Sequence, residues 1–260
     1  MEKKIALITG ATSGIGEACA RKFAAGGYDV IITGRSEQKL ECLRDELVGQ
    51  GVDVLVLPFD VRDRQAAKAA IDSLCGKWAA VDVLINNAGL ARGLEPEYEG
   101  NFQDWDEMID TNIKGLLTIT RYVVPGMVSR NRGHIINVGS VAGDAAYAGG
   151  NVYCATKAAV KLISDGLRID LVNTAVRVTN LKPGLVQTNF SNVRFHGDDA
   201  RADSVYQGIQ PLTGTDIADV AFYAASAPEH VQIAEVLVLA THQGSGSVIS
   251  RDVNRVENLS

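Results

Sequence analysis

Tyr153 and Lys157 stand four residues apart at the start of a helical pattern, so they share one helix face. A phenol beside an ammonium can act as a proton-transferring acid and base. Free tyrosine ionises near pH ~10, so work near neutrality needs a drop of about 2–3 units, or about 3–4 kcal/mol. One positive charge about 4 Å away supplies about 4 kcal/mol at an effective dielectric of 20. The two magnitudes match. Ser140 lies just upstream, at the end of the apolar run Ile135-Ile136-Asn137-Val138. Alone, such a pair is also an ordinary couple of helix-surface neighbours, and such a serine an ordinary cap or turn residue. The rest of the chain has to decide.

The elements that must position these residues alternate along the chain. Lys4–Ile8 reads as a short buried strand, and a helical pattern follows to Ala25. Between them stands Gly10-Ala11-Thr12-Ser13-Gly14-Ile15-Gly16, whose spacing is G-x-x-x-G-x-G and not G-x-G-x-x-G. A glycine-rich turn from strand into helix lets backbone approach a phosphate, and the helix N-terminus adds unpaired N–H groups and positive dipole. Tyr28–Thr33 is a second strand, ending at Gly34-Arg35-Ser36. In dinucleotide folds an acidic residue about here takes the ribose hydroxyls, whereas an arginine accommodates a 2′-phosphate; Arg35 therefore favours NADP over NAD. A solvated surface arginine is the alternative.

Further strands are expected at Val52–Phe59, Val81–Ile85, Gly133–Gly139, Ala175–Leu181 and Val236–Leu239. Helices are expected at Glu37–Val48, Arg62–Trp78, Phe102–Val128 with an interruption at Pro125, Asn151–Leu171 capped by Asn151, and Thr215–Ala227 capped by Thr215 or Asp216. Strands alternating with helices mean βαβ units and a parallel sheet, an α/β fold. Asn86-Asn87-Ala88-Gly89 closes the fourth strand, at the end of the sheet where ligands bind, or is simply a turn. Asn112, a mediocre helix former inside a long helix, either satisfies a buried group or holds a water. Residues 185–210 lack periodicity and are expected to form a lid or binding loop. Residues 241–260 are polar and read as an exposed tail or an inter-subunit strap.

Composition narrows the function. The chain has 260 residues, 46% of them hydrophobic, enough for one large α/β domain. Its net charge is −6 and it has no basic run, which disfavours nucleic acid and anionic membrane as partners. The N-terminus lacks a signal-peptide pattern and no apolar run is long enough to span a membrane. Cys19, Cys42, Cys75 and Cys154 are widely spaced and read as reduced thiols of a cytoplasmic protein. The four histidines show no metal-ligand spacing, so no metal is implied. Gly139-Ser140-Val141-Ala142-Gly143 misses the G-x-S-x-G nucleophile elbow by one residue, which disfavours a hydrolase.

Taken together, these residues resemble the short-chain dehydrogenases/reductases over roughly residues 3 to 245. The resemblance is carried by Thr9-Gly10, Gly14, Gly16, Asp60, Asn86-Asn87-Ala88-Gly89, Asn112, Ser140, Tyr153, Lys157 and Pro183-Gly184, in the family's order and spacing. Asp110-Thr111-Asn112, Pro125-Gly126-Met127-Val128, the stretch from Tyr147 to Tyr153 and Phe190-Ser191-Asn192-Val193-Arg194-Phe195 resemble its NADP-dependent 3-hydroxy acid branch. That branch acts on serine, allo-threonine, 3-hydroxypropionate and similar acids, and a relative within it reduces sulfoacetaldehyde. Ser36 departs from the branch, whose members often carry a second arginine there.

The resemblance implies a single doubly wound Rossmann domain over residues 1–245, with a seven-stranded parallel sheet ordered 3-2-1-4-5-6-7, a substrate loop at 185–210 and a tail at 246–260. It implies that Tyr153 exchanges a proton with the reacting oxygen and that Ser140 hydrogen-bonds that oxygen. Lys157 would lower the phenol's pKa and hold the nicotinamide ribose, and Asn112 would hold a water linking Lys157 to solvent. NADP would be held by Gly10, Thr12, Ser13, Gly14, Ile15, Gly16, Arg35, Ser36, Asp60, Val61, Asn87, Ala88, Gly89, Tyr153, Lys157, Pro183, Gly184, Val186 and Thr188.

A short hydroxy acid offers little apolar area, so its anion must supply the affinity. Arg194, in the expected lid, is the first candidate to receive it; Arg92 is the second and His196 the third. Each is otherwise a surface residue on a loop. A homotetramer is expected from the row Ala155, Ala159, Ile163, which allows close helix approach, although the row could instead pack on its own sheet. The leading function is an NADP-dependent oxidoreductase of a short 3-hydroxy acid or its semialdehyde. A 3-oxoacyl-carrier-protein reductase and a catalytically silent NADP-binding regulator are the alternatives.

Overall fold

The computed structural model describes residues 3–251. From the N-terminus the elements are β1 (Ile5–Ile8), α1 (Gly14–Ala25), β2 (Asp29–Gly34), α2 (Glu37–Val48), β3 (Val54–Pro58), α3 (Arg64–Asp72), β4 (Val83–Asn86), α4 (Phe102–Ile109) and α5 (Leu116–Ser129). They continue as β5 (Gly133–Val138), α6 (Asn151–Asp170), β6 (Val176–Pro183), β7 (Val186–Gln187), α7 (Phe190–Arg194), α8 (Asp199–Ser204), β8 (Leu212–Thr213), α9 (Gly214–Ser226) and β9 (Glu235–Val238). Seven strands form one parallel sheet in the order β3-β2-β1-β4-β5-β6-β9. This is the expected order, with β9 as its seventh strand. The two-residue strands β7 and β8 pair with each other, apart from the main sheet.

Strands β1, β2 and β4 are buried along their whole length, as a parallel sheet covered on both faces requires. One face packs on α1, α2 and α9 through Phe23, Leu40, Leu47, Ile217 and Ala221. The other packs on α3 and α5 through Ile71, Ile119, Val123 and Met127. The fold therefore presents all the C-terminal strand ends on one edge, where the site forms.

Local chemistry moved several expected boundaries. The expected helix over 62–78 stops at Asp72, and Gly76 at φ +57 opens a separate 3₁₀ turn over Gly76–Ala79. Pro125 does not interrupt its helix: α5 runs through it, held by the buried face of Ile119, Val123, Val124 and Met127. The break in the long pattern lies earlier, as a π-helical turn over Asp110–Gly115. Asn151 is the first helical residue of α6 and not its cap; Gly150 precedes it, and the Asn151 amide donates to Glu97 Oε2 at 2.7 Å. Thr213 caps α9 in place of Thr215 or Asp216, with Asp216 completing a capping box. The expected loop over 185–210 is partly helical. Its α7 and α8 are single turns, too short to impose a readable period.

Candidate active site

The glycine turn is held by side chains from the next strand over. Asn87 Nδ2 donates to the carbonyls of Thr9 and Gly10 at 2.9 and 3.1 Å, and Thr9 Oγ1 accepts from the amides of Asn87 and Ala88 at 3.0 Å. Gly10 is at φ +67, and a Cβ there would sit 2.9 Å from Ala88 Cα. A Cβ on Gly16 would lie 2.3 Å from the Gly10 carbonyl oxygen, so Gly16 is a packing requirement behind the turn. Gly10, Thr12, Ser13, Gly14, Ile15, Arg35, Asp60, Val61, Asn87, Ala88 and Gly89 line one half of a cavity of ≈ 650 Å³. Ser36 lies outside that lining; its hydroxyl caps α2 by accepting from the Lys39 amide. Asn86 also points away from the cavity, donating to Thr120 and Asn137 in the sheet's interior.

The other half of the cavity holds Ser140, Tyr153 and Lys157, with Pro183, Gly184, Val186 and Thr188 closing one side. Ser140 follows β5 and caps a 3₁₀ turn over Val141–Gly143, accepting from the Ala142 amide at 3.1 Å. Cap serine and site serine are thus the same residue. Lys157 donates to the Val138 carbonyl at 2.9 Å, and burial pushes its ammonium down to about 8. Burial pushes the Tyr153 phenol up, and Tyr147 adds to the push; a hydrogen bond with Ser140 and the charge of Arg194 pull it partly back. The Lys157 ammonium, donating to the Val138 carbonyl, lies 5.9 Å from the Tyr153 ring centre.

Asn112 sits in the π-helical turn and is buried. Its Nδ2 donates to the Leu90 carbonyl at 2.8 Å and to Thr156 Oγ1 at 3.0 Å, while Oδ1 accepts from the Leu90 amide at 2.9 Å. Of the two roles expected for this amide, the structure displays the satisfaction of buried groups. Thr156 in turn donates to the Tyr153 carbonyl at 2.7 Å, tying the turn to the helix that carries Tyr153.

A phosphate-ready turn and a Ser/Tyr/Lys cluster thus share one cavity, and the sequence profile described as short chain dehydrogenase matches residues 4–199. The chain belongs to the short chain dehydrogenase family. It is 52% identical over 240 residues to an NADP-dependent 3-hydroxy acid dehydrogenase YdfG of Salmonella typhimurium, covering 92% of this chain and 96% of that protein. It is 44% identical over 250 residues to sulfoacetaldehyde reductase 2 of Chromohalobacter salexigens, covering 95% and 99%. Among solved structures, it superposes on a closed form of serine dehydrogenase complexed with NADP+ with a TM-score of 0.90 and 48% identity, covering 95% of this chain and 98% of that one.

In this family member Arg194 ends α7, within the 185–210 segment. Arg194 Nε donates to the Gly93 carbonyl at 2.9 Å and Nη1 to the Tyr147 hydroxyl at 3.0 Å; Nη2 is buried with no partner among the described residues. Arg92 behaves differently. Its Nε pairs with Glu107 at 2.7 Å, its Nη1 donates to the Val193 carbonyl, and it does not line the cavity. It ties down the α7 segment with its charge already neutralised. His196 is exposed and pairs with Asp104 at 3.1 Å.

Sequence reasoning passed over several lining residues: Tyr147, Phe190, Val193, Gln243, Ile249 and Arg251. The Phe190 ring centre lies 5.6 Å from that of Tyr153. Gln243 is buried and accepts from the Leu185 amide at 2.8 Å, and Arg251 reaches the carbonyls of Val205 and Gln207. The chain past β9 therefore folds back against the 185–210 segment as far as residue 251. Tyr147, Phe190 and Val193 stood in stretches that carry the family resemblance but had no site role assigned, and Gln243, Ile249 and Arg251 carried no motif; their positions in space bring them to the site. The rest of the expected tail, 252–260, lies outside the described residues.

Proposed function

We propose that the chain is an NADP-dependent oxidoreductase moving a hydride between NADP(H) and a short 3-hydroxy acid or its semialdehyde, of the serine, allo-threonine, 3-hydroxypropionate or sulfoacetaldehyde type. The observation that carries the substrate class is Arg194, a cation facing the Tyr153 half of the cavity with a buried, unpartnered Nη2. The compounds that name these relatives, 3-hydroxy acids, serine and sulfoacetaldehyde, carry an anionic group one carbon removed from the reacting carbon.

The residues present fit NADP. The turn at Gly10, Thr12, Ser13, Gly14, Ile15 and the start of α1 suits a pyrophosphate. Arg35 is exposed at the cavity rim and has no hydrogen-bond or ion-pair partner among the described residues, which suits a 2′-phosphate. Asp60 and Val61 would take the adenine side, Asn87, Ala88, Gly89 and Lys157 the ribose side, and Pro183, Gly184, Val186 and Thr188 the nicotinamide. Bound NADPH supplies the hydride.

In reduction Tyr153 gives its proton to the carbonyl oxygen as the hydride reaches the carbonyl carbon. Ser140 donates to the same oxygen, where negative charge develops. Lys157 would favour the ionised phenol by its charge and hold the nicotinamide ribose, and Asn112 holds the Leu90 loop against α6. The catalytic unit reaches past the expected boundary at residue 245, because Ile249 and Arg251 line the cavity.

We also propose a cytoplasmic homotetramer. No helix among the described residues is long and apolar enough to cross a membrane. Ala155, Leu162 and Ile169 lie exposed along the outer side of α6, and Leu117 is exposed on α5. Light scattering that gave a monomer mass at micromolar concentration would reject the tetramer. A carrier-protein substrate is disfavoured by exposed Asp198, Asp199 and Asp203 on the lid, which would repel an acidic carrier.

The function is tested by a panel of short aldehydes and hydroxy acids assayed with NADPH and NADP+ and with their NAD counterparts. Acidic substrates turning over with the phosphorylated cofactor are expected. Preference for long neutral ketones, or for NADH, contradicts the reading.

A further inference from the structure

A run of alternating charges, Asp60, Arg62, Glu107 and Arg92, joins the cofactor half of the cavity to the substrate half. Arg62 lines the cavity beside Asp60 and binds both oxygens of that carboxylate, with Nε at 3.1 and 3.0 Å and Nη2 at 2.6 Å. Its Nη1 donates to Glu107 Oε1 at 3.1 Å. The other oxygen of Glu107 accepts from Arg92 Nε at 2.7 Å, and Arg92 Nη1 donates to the Val193 carbonyl. Beside that contact the Gly93 amide donates to the Arg194 carbonyl at 2.9 Å, and Arg194 Nε donates to the Gly93 carbonyl at 2.9 Å. Glu107 and Arg92 do not line the cavity. Glu107, on α4, is thus a bridge: one oxygen serves the loop after β3, the other the loop that clasps α7. The hydrogen bond from Arg92 holds its carboxyl below the usual range, and the charges of Arg62 and Arg35 add to that pull. Burial raises Asp60, but Arg62 and Arg35 outweigh it and leave it low. Arg35 therefore acts on both carboxylates without a hydrogen bond to either.

We infer that Glu107 is a positioning residue that couples the cofactor's 2′-phosphate to the hold on Arg194, through Arg62 on one side and Arg92 on the other. This rests on the readings of Arg35 as the phosphate's partner and of Arg194 as the cation facing the acid. A phosphate on Arg35 cancels that cation's pull on Asp60 and Glu107. Glu107 is then left to Arg62 and Arg92, and its grip on Arg92 tightens. Arg92 fixes the backbone at Val193, next to Arg194. NADP+ thereby favours acid binding where NAD+ does not, although the phosphate sits in the opposite half of the cavity from Arg194. By linkage an acid favours NADP+ over NAD+ by the same factor.

The test is malonate, an unreactive short acid, titrated calorimetrically into protein saturated with NADP+ or with NAD+. In wild type malonate should bind about fivefold tighter with NADP+, the lower end of the usual range for coupled sites. Glu107→Gln keeps the shape of the side chain and removes its charge. It should bring that ratio close to unity, while kcat for a neutral aldehyde stays within about twofold. Arg62→Gln cuts only the cofactor-side link and should abolish the ratio in the same way, so the test survives if Glu107→Gln does not fold. If Glu107 merely supports the fold, its loss weakens malonate equally with both cofactors and the ratio stays; that result overturns the coupling. A wild-type ratio of unity overturns it as well. The underlying readings fail separately. Equal loss of both cofactors in Arg35→Ala rejects the phosphate's partner, and wild-type protein that binds malonamide as well as malonate rejects the acid's, whatever Glu107→Gln does.

Discussion

The guanidinium carbon of Arg194 lies 5.7 Å from the centre of the Tyr153 ring. The end of α7 thereby places a cation beside the proposed acid/base, close enough to pull on its pKa. Arg194→Ala is expected to lose about 2–5 kcal/mol of transition-state binding for acids, by analogy with truncating a buried charge pair. A neutral aldehyde of similar size should be handled almost normally. The measurement is kcat/KM for both substrates in both proteins. Parallel losses would mean that Arg194 shapes the lid and does not read charge.

Removing only the phenolic oxygen tests the proton path. Tyr153→Phe should retain NADPH affinity, read by cofactor fluorescence, and lose nearly all turnover. Activity within tenfold of wild type would sink the role proposed for Tyr153.

The cofactor preference hangs on one cation. Arg35→Ala should weaken NADPH far more than NADH, by roughly 1.5–3 kcal/mol, the worth of a charge-assisted contact to a phosphate. Dissociation constants for both cofactors decide it. Equal losses would show that Arg35 is not the discriminator.

Lys157 makes stability depend on pH. Unfolded, its ammonium keeps its proton to its ordinary value of 10.5; folded, it keeps it only to about 8. At pH 7 both states are charged and the folded protein carries the burial penalty. Between pH 8 and 10.5 the folded protein sheds a proton that the unfolded chain retains, so this group's contribution to stability rises with pH. Lys157→Met should therefore stabilise the cofactor-free protein at pH 7, by up to about 3 kcal/mol. The gain should shrink across that window. Denaturant midpoints of both proteins at pH 7 and pH 10 measure it; a gain that does not shrink would place the cost elsewhere.

Period and punctuation settled much of this protein in the sequence alone. Buried runs such as Ile5–Ile8 and Ile135–Val138 can only be strands of a sheet covered on both faces, and the helical patterns between them force parallel crossovers. The glycine turn was legible because close backbone approach needs glycine wherever it occurs. Tyr153 and Lys157 were legible because i, i+4 spacing fixes a shared helix face whatever surrounds it. Tertiary structure decided the electrostatics and the substrate end. How far burial shifts Tyr153 and Lys157, and that the Lys157 ammonium turns to Val138, follow from neighbours in space. Arg92 and Arg194 look alike in sequence; one is neutralised by Glu107, 15 residues along the chain, and the other faces the cavity with a donor to spare. Gln243 and Arg251 reach the site from a distant stretch of chain, and no local period encodes such a meeting. Charge, burial and reach are properties of neighbours in space, and the fold chooses those neighbours.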